Sequence, residues 1–139
     1  MSKLSLEKEA DFECLKDIAV FVDQALEKWD MTDEARGEFC MAIDEIITNI
    51  ILYGYPDRKG KISITLTKSE DFITAEISDQ GIPFDPTRQP APDITAPLDE
   101  RPVGGLGIHL VRNMVDDFRY NRSDNSNYMV LTKKSGRKK

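Results

Sequence analysis

The chain has 139 residues, of which 40% are hydrophobic and 32% are charged, and its formal net charge is −6. This length is typical of one domain that buries a core without staples. No apolar run approaches the ~20 residues of a membrane-spanning helix, and the polar N-terminus holds no secretory signal. One histidine and two cysteines are too few for the usual zinc sites. We expect Cys14 and Cys40 to be small buried apolar residues in a reducing cytoplasm.

The charge is unevenly distributed along the chain. The last seven residues, KKSGRKK, hold five basic side chains and no acid, whereas the other 132 residues hold 14 basic and 25 acidic ones, a net charge of −11. Such a body repels the phosphate backbone, so we expect no nucleic-acid partner. The basic tail, 134–139, is predicted to be a solvated, frayed end.

The first half of the chain is predicted to form a short strand and two helices. Residues 3–6 suit an edge strand, and the apolar residues between Asp11 and Trp29 recur at helical spacing. Thr32 is a suitable N-cap for a second helix with acids in its first turn. This second helix is predicted to end at Gly54.

The second half alternates like strands on both sides of a long loop. Alternating apolar and polar residues predict a hairpin of two strands, Lys61–Lys68 and Phe72–Asp79. The segment 83–103 holds six of the seven prolines and is predicted to be a functional loop, a lid over the site. The remaining predicted elements are a helix after the glycines at 104–107 and two closing strands, Phe118–Asn121 and Tyr128–Lys133. The layout indicates a single α+β domain, a two-layer sandwich with a mostly antiparallel sheet and helices on one face.

Glu45 and Asn49 form the first candidate site. They are four residues apart on the second helix and therefore point to the same side. Apolar residues surround them, which predicts a helix that is buried nearly all round and a polar pair that lines an internal cavity. A buried carboxylate without a partner is costly, so this one would need a metal, a ligand or a proton. The alternative is an ordinary polar pair on a half-exposed helix.

Asp79 and Gly81 form the second candidate site. Asp79 continues the strand face of Ile73 and Ile77, so its carboxylate is predicted to point into the core layer and to accept a hydrogen bond from a ligand amine. Gly81 lets the backbone approach a flat group closely or turn sharply. The alternative is an ordinary turn, for which Asp-Gln-Gly is suitable.

The glycines before the third helix form the last candidate site. A glycine-rich helix start exposes backbone N–H groups and the positive end of the helix dipole, which suits phosphate. The alternative is a flexible hinge that caps the helix. Because no Lys-Ser/Thr follows the glycines, the segment is not a P-loop, and the proline-rich loop before it excludes a dinucleotide fingerprint.

Together and in this order, the three motifs resemble the GHKL (Bergerat-fold) ATP-binding superfamily. Its N-box, Glu-x-x-x-Asn, matches Glu45 and Asn49; its first glycine box, Asp-x-Gly-x-Gly, matches Asp79 and Gly81; its second, Gly-x-Gly, matches Gly105 and Gly107, with Gly104 ahead. The similarity covers nearly the whole chain. In its compact length and in the local sequence around Asp79 and Gly107, the chain resembles the bacterial anti-sigma-factor serine kinases.

The sequence departs from the family pattern at two places. Pro83 stands where the first glycine box has its last glycine, which would stiffen the entry to the lid. Asn127-Tyr128 replaces the Gly-Thr often found before the final strand, which implies the loss of a hydroxyl contact near the adenine.

The resemblance implies a role for each residue of the first two motifs. Asp79 would accept a hydrogen bond from the adenine amino group, and Gly81 would admit the ring. Asn49 would hold Mg²⁺ through its amide oxygen, since magnesium takes one or two protein ligands plus phosphates. Glu45 would act as the general base on a serine hydroxyl or a water.

The resemblance also implies a phosphate cradle at the start of the third helix. It would consist of Gly105, Gly107 and the N–H of Ile108, with Gly104 ahead. Arg101, at the end of the lid, could lie near the γ-phosphate of ATP, and an ordinary solvated arginine is the alternative there.

The function that the resemblance implies is an ATP- and Mg²⁺-dependent protein serine/threonine kinase with anti-sigma activity. Its expected partners are a sigma factor and a STAS-domain anti-anti-sigma protein whose serine it phosphorylates, and a homodimer stays open. The alternative is a nucleotide-dependent binding module that switches partners without kinase activity. Glu45 favours the enzyme, because binding alone requires no base.

Overall fold

The computed structural model describes residues 2–56, 58–86 and 105–136. They form one five-stranded sheet with helices packed on one of its faces. The elements are β1 Ser2–Glu9, α1 Phe12–Lys28, α2 Asp33–Asn49, a π-helical segment Ile50–Gly54, β2 Lys61–Ser69, β3 Phe72–Asp79, α3 Gly105–Met114, β4 Asp117–Ser123 and β5 Ser126–Lys134. The predicted α+β fold class is confirmed, and the strands extend one to three residues beyond most of their predicted ends.

The sheet order is β1-β2-β3-β5-β4, and all neighbouring strands are antiparallel. Residues that alternate along the strands build the core beneath the helices; among them are Ile62, Ile64, Leu66, Ile73, Ile77, Met129 and Leu131. In the β3–β5 register Asp79 lies opposite Asn127. Two polar side chains are therefore neighbours on the core face, where β3 ends and β5 begins.

Side-chain caps fix the first turn of both long helices. Asp11 accepts a hydrogen bond from the backbone N–H of Cys14 at 3.0 Å, and Thr32 accepts one from that of Ala35 at 3.3 Å. Both caps agree with the starts predicted for these helices. Cys14 is buried and Cys40 half-buried, and both are free thiols. Burial, assisted by the charges of Asp23 and Asp44, raises the pKa of Cys40 to about 11, so this thiol is inert near neutral pH.

The environment of α2 differs from the prediction. The α-helix stops at Asn49, and the chain continues to Gly54 as a π-helix. Met41 and Leu52 are 53% and 45% exposed, so the prediction of a helix buried nearly all round is wrong. The reason is the two-layer architecture: α2 packs between α1 and α3 on the sheet, and its fourth side faces solvent.

No helix within the described ranges is long and apolar enough to cross a membrane.

The basic tail begins later than predicted. Lys134 belongs to β5, and the Ser135 carbonyl accepts a hydrogen bond from the backbone N–H of Thr32 at 2.9 Å. These contacts attach the end of β5 to the start of α2. The last three residues, 137–139, lie outside the described part of the chain.

Lys133, the first residue of the basic end of the chain, has a structural role. Its side chain is 12% exposed, and its ammonium lies 2.5 Å from the carbonyl oxygen of Met114 and 3.8 Å from Glu38 Oε1. A cation at the end of a helix satisfies a free carbonyl and interacts favourably with the dipole. Lys133 therefore joins the end of α3 to α2.

We expect Lys133→Met to lower the free energy of unfolding by about 1–3 kcal/mol, because a charge-assisted hydrogen bond is lost and the part-buried carbonyl of Met114 loses this donor. Urea denaturation measures this change. Lys134→Met is the matched control, since Lys134 is exposed and its backbone N–H, not its side chain, bonds to Asp116. Equal effects of the two substitutions would contradict the role given to Lys133.

Candidate functional site

A cavity of about 150 Å³ lies between α2, the π-helical segment and the ends of β3 and β5. Its wall is mostly apolar, with contributions from Ile46, Ile50 and Met129. Asn49, Asp79 and Asn127 add carboxamide and carboxylate groups to this wall. An apolar cavity with a few placed polar groups is typical of a site for a small ligand.

Asp79 points into the core layer, as predicted, and is 1% exposed. Its Oδ1 accepts hydrogen bonds from the backbone N–H of Gly81 at 2.8 Å and from Asn127 Nδ2 at 3.0 Å. Burial raises the pKa of Asp79, whereas these two donors and the charge of Arg122 act in the opposite direction. Among the described residues both of these donors bond to Oδ1, which leaves Oδ2 to accept a hydrogen bond from a ligand in the cavity.

Asn127 is the site residue that the sequence did not reveal. It is 2% exposed, and its Nδ2 donates both to Asp79 and to the carbonyl of Ile82, at 2.9 Å. Its Oδ1 accepts a hydrogen bond from the Tyr120 hydroxyl at 2.5 Å. The departure from Gly-Thr implied the loss of a hydroxyl contact near the adenine, and the contact that Asn127 makes instead is with Asp79. Alternation with Met129 is the signal in the sequence for this position, but the predicted strand begins at Tyr128, after this residue.

Gly81 lies against the backbone of the π-helical segment. A Cβ at this position would be 2.3 Å from the Gly54 carbonyl oxygen and 2.9 Å from Asp79 Oδ1. The same Gly54 oxygen accepts a hydrogen bond from the backbone N–H of Ile82 at 2.9 Å. The glycine is therefore needed for a close approach of two backbone segments, and this approach sets the position of the turn after Asp79.

Asn49 could hold a magnesium ion through its amide oxygen. Its Nδ2 donates to the backbone carbonyl of Glu45 at 2.7 Å, which leaves Oδ1 as the available ligand atom. The described residues include no cluster of three or more His, Cys, Asp or Glu that could hold a metal. A single amide oxygen fits an ion whose other ligands are waters and phosphates.

Glu45 lies one turn before Asn49 and is half-buried. It is not among the residues that line the cavity. The structure therefore brings Asn49 and Asp79 together at the cavity, whereas the prediction that Glu45 also lines it is wrong.

The glycine-rich segment is described in part. Gly105, Gly107 and Ile108 lie in the first turn of α3, which packs against α2. Gly104, Arg101 and most of the predicted lid, 87–103, lie outside the described residues. At the start of the lid, the Pro86 carbonyl accepts a hydrogen bond from Arg112 at 3.2 Å, which connects this segment to α3.

Comparison with known proteins gives a family match and similar kinases. The family model for the histidine kinase-like ATPase domain matches residues 9–133. The serine/threonine-protein kinase BtrW of Bordetella bronchiseptica is 31% identical over 104 residues, 73% of each chain. The serine-protein kinase RsbW of Bacillus cereus is 34% identical over 83 residues, 57% of this chain and 52% of that one. The match thus spans about half the length of RsbW.

Two solved structures share the fold. The RsbU and RsbW domains of a Mycobacterium tuberculosis protein superpose with a TM-score of 0.70 at 15% identity, over 96% of this chain and 32% of that chain. The catalytic domain of the histidine kinase ThkA superposes with a TM-score of 0.56 at 14% identity, over 97% of both chains. At these identities the likeness concerns the fold alone.

Proposed function

Because the chain belongs to the family of histidine kinase-like ATPase domains, we propose that it is an ATP-dependent protein serine/threonine kinase. The observation that carries this proposal is the buried Asp79 carboxylate, which borders an apolar cavity with one oxygen left to accept an amino group such as that of adenine. The names of the similar proteins, a serine/threonine-protein kinase and a serine-protein kinase, support the same activity.

We propose further that the phosphoryl acceptor is a serine of a STAS-domain antagonist, and that the chain sequesters a sigma factor in the cytoplasm. The support is the resemblance of its motifs to the anti-sigma-factor kinases, together with the serine-kinase names of its relatives. A homodimer belongs to the same proposal. The partner-switching module without kinase activity is the alternative.

In the proposed reaction the residues of the chain bind, orient and move one proton. Asp79 accepts a hydrogen bond from the adenine amino group, and the N–H groups at the start of α3 bind phosphate. The Oδ1 of Asn49 would hold Mg²⁺, which neutralises phosphate charge when bound. The serine oxygen attacks the γ-phosphorus, the bond to the β–γ bridging oxygen breaks, and ADP leaves. Glu45 takes the hydroxyl proton as the new O–P bond forms.

The direct test is incubation of the chain with γ-labelled ATP, Mg²⁺ and STAS-domain proteins of the same organism. We expect label on a serine of one of these proteins. Nucleotide-dependent binding of a STAS protein without any transfer of label would favour the partner-switching module.

We expect Gly81→Ala to lower the affinity for ATP at least about tenfold, because the added Cβ displaces the turn and with it the hydrogen bond to Asp79. Calorimetric titration measures the affinity. Gly37→Ala is the control, because a Cβ there meets nothing within 4 Å. Equal ATP affinities of the two variants would show that nucleotide binding does not require the close backbone approach at Gly81.

A further inference from the structure

We propose that Asn127 and Tyr120 form a positioning pair that sets the base specificity of the cavity. The inference rests on the proposed function, because it takes the cavity as the site of a nucleotide base. Neither residue belongs to the motifs that led to the site. Both reach it through the long-range pairing of β5 with β3 and of β4 with β5.

The amide of Asn127 has one possible orientation. A carboxamide offers two N–H donors and one carbonyl acceptor. Here the two donors bond to Asp79 Oδ1 and to the carbonyl of Ile82, and the acceptor receives the Tyr120 hydroxyl. The reversed amide would direct its oxygen at a carboxylate and a carbonyl, which repel it. The hydrogen-bond partners therefore fix the amide without reference to a ligand.

The fixed amide also fixes Asp79. Oδ1 takes two donors, from Asn127 and from Gly81, so rotation of the carboxylate would break both bonds in a buried site. Both donors favour the ionised carboxylate, against the effect of burial on its pKa. In the ionised carboxylate the oxygen on the cavity side accepts hydrogen bonds and does not donate them. A base with an amino group at this place is bound, and one with a carbonyl oxygen there is repelled.

The edge strand β4 supplies the outer part of this arrangement. Tyr120 and Arg122 are two residues apart and so lie on the same face of β4. Tyr120 holds Asn127, and Arg122 donates to the Gly81 carbonyl at 2.7 Å. The turn after Asp79 is therefore attached to β4 twice. Arg122 bonds to Gly81 directly, and Tyr120 bonds to Asn127, which in turn bonds to Ile82.

The test compares affinities of Asn127→Ala and Tyr120→Phe for ATP, GTP and purine riboside triphosphate, which lacks the 6-amino group. The wild type is expected to prefer ATP. Asn127→Ala should lower ATP affinity at least about tenfold and change the other two affinities little, because the bond to the amino group is the one that depends on Asp79 orientation. Tyr120→Phe should act in the same direction to a smaller extent.

Two substitutions on the opposite face of the same strands serve as controls. Asn121→Ala and Tyr128→Phe repeat the chemical changes at a pair of residues that face each other across β4 and β5. We expect both controls to keep the wild-type preference. They separate a general effect on the sheet from an effect on the cavity.

The outcomes separate this inference from the proposed function. A wild-type chain that binds no ATP would overturn the proposed function. A wild-type chain that prefers ATP, with the same preference retained in Asn127→Ala and Tyr120→Phe, would overturn the inference alone. Circular dichroism establishes that each variant is folded, and if Asn127→Ala is not, Tyr120→Phe decides the matter.

Discussion

Glu45→Ala is expected to lose phosphoryl transfer and to keep nucleotide binding. Removal of a general base typically lowers the rate by about 10²–10⁴-fold. Glu45 does not line the cavity, and the bond that orients Asn49 uses the backbone carbonyl of residue 45, which the substitution retains. Nucleotide affinity should therefore change little. Single-turnover transfer of phosphate to the STAS partner measures the rate, and calorimetry measures the affinity.

Two neighbours on α2 give the matched comparisons for Glu45. Asp44→Ala removes an exposed acid next to it and should leave transfer unchanged. Asn49→Ala should instead lose the Mg²⁺-dependent part of the nucleotide affinity, because it removes the proposed ligand oxygen. Transfer by Glu45→Ala at the wild-type rate would show that the base assignment is wrong. In the proposed partner switch phosphorylation releases the STAS protein, so the Glu45 variant is expected to hold that protein longer.

Asp79→Asn is expected to turn the base preference from ATP towards GTP. The backbone N–H of Gly81 and the Nδ2 of Asn127 both require an oxygen at the Oδ1 position. The new amide must therefore point its NH₂ group into the cavity, where it faces the adenine amino group and repels it. The NH₂ group of the new side chain can instead donate a hydrogen bond to the carbonyl oxygen of guanine. The loss of a matched hydrogen bond to the base lowers the affinity for that base by several orders of magnitude at most. For the Asp79→Asn variant we expect the affinity for ATP to fall about 10²-fold.

Titration of the Asp79→Asn variant with ATP and GTP measures both affinities. Asp124→Asn is the control, because it makes the same chemical change in the β4–β5 turn, where residue 124 has φ 53° and asparagine is well tolerated. A variant that binds ATP as tightly as the wild type would reduce Asp79 to an ordinary turn acid. Equal losses for both nucleotides would indicate a role in stability rather than in base recognition.

Local patterns were sufficient to predict most of the fold. Period-two alternation marks β2 and β3, helical spacing marks α1, and the capping residue Thr32 marks the start of α2. The same rules placed the Asp79 carboxylate on the core face, because this depends on β3 alone. The solvent exposure of Met41 could not be predicted in this way, since it depends on which neighbours cover α2.

The parts of the site that escaped prediction depend on contacts between distant segments. Asn127 meets Asp79 through the β3–β5 register, across 48 residues of chain. Gly81 is constrained by the carbonyl of Gly54, which belongs to another element. No spacing within one motif contains this information. Glu45 and Asn49, by contrast, are one helical turn apart, and their common side follows from the helix alone.

The backbone contact between Gly54 and the turn after β3 also determines where this site can evolve. Ile82 donates its main-chain N–H to Gly54, while its side chain is 49% exposed at the rim of the cavity. A replacement of this side chain other than proline retains the hydrogen bond, so the rim can change in size and polarity while the turn keeps its place. Position 81 has no such freedom. Under selection for a different nucleotide, we therefore expect substitutions at residue 82 and retention of the glycine at residue 81.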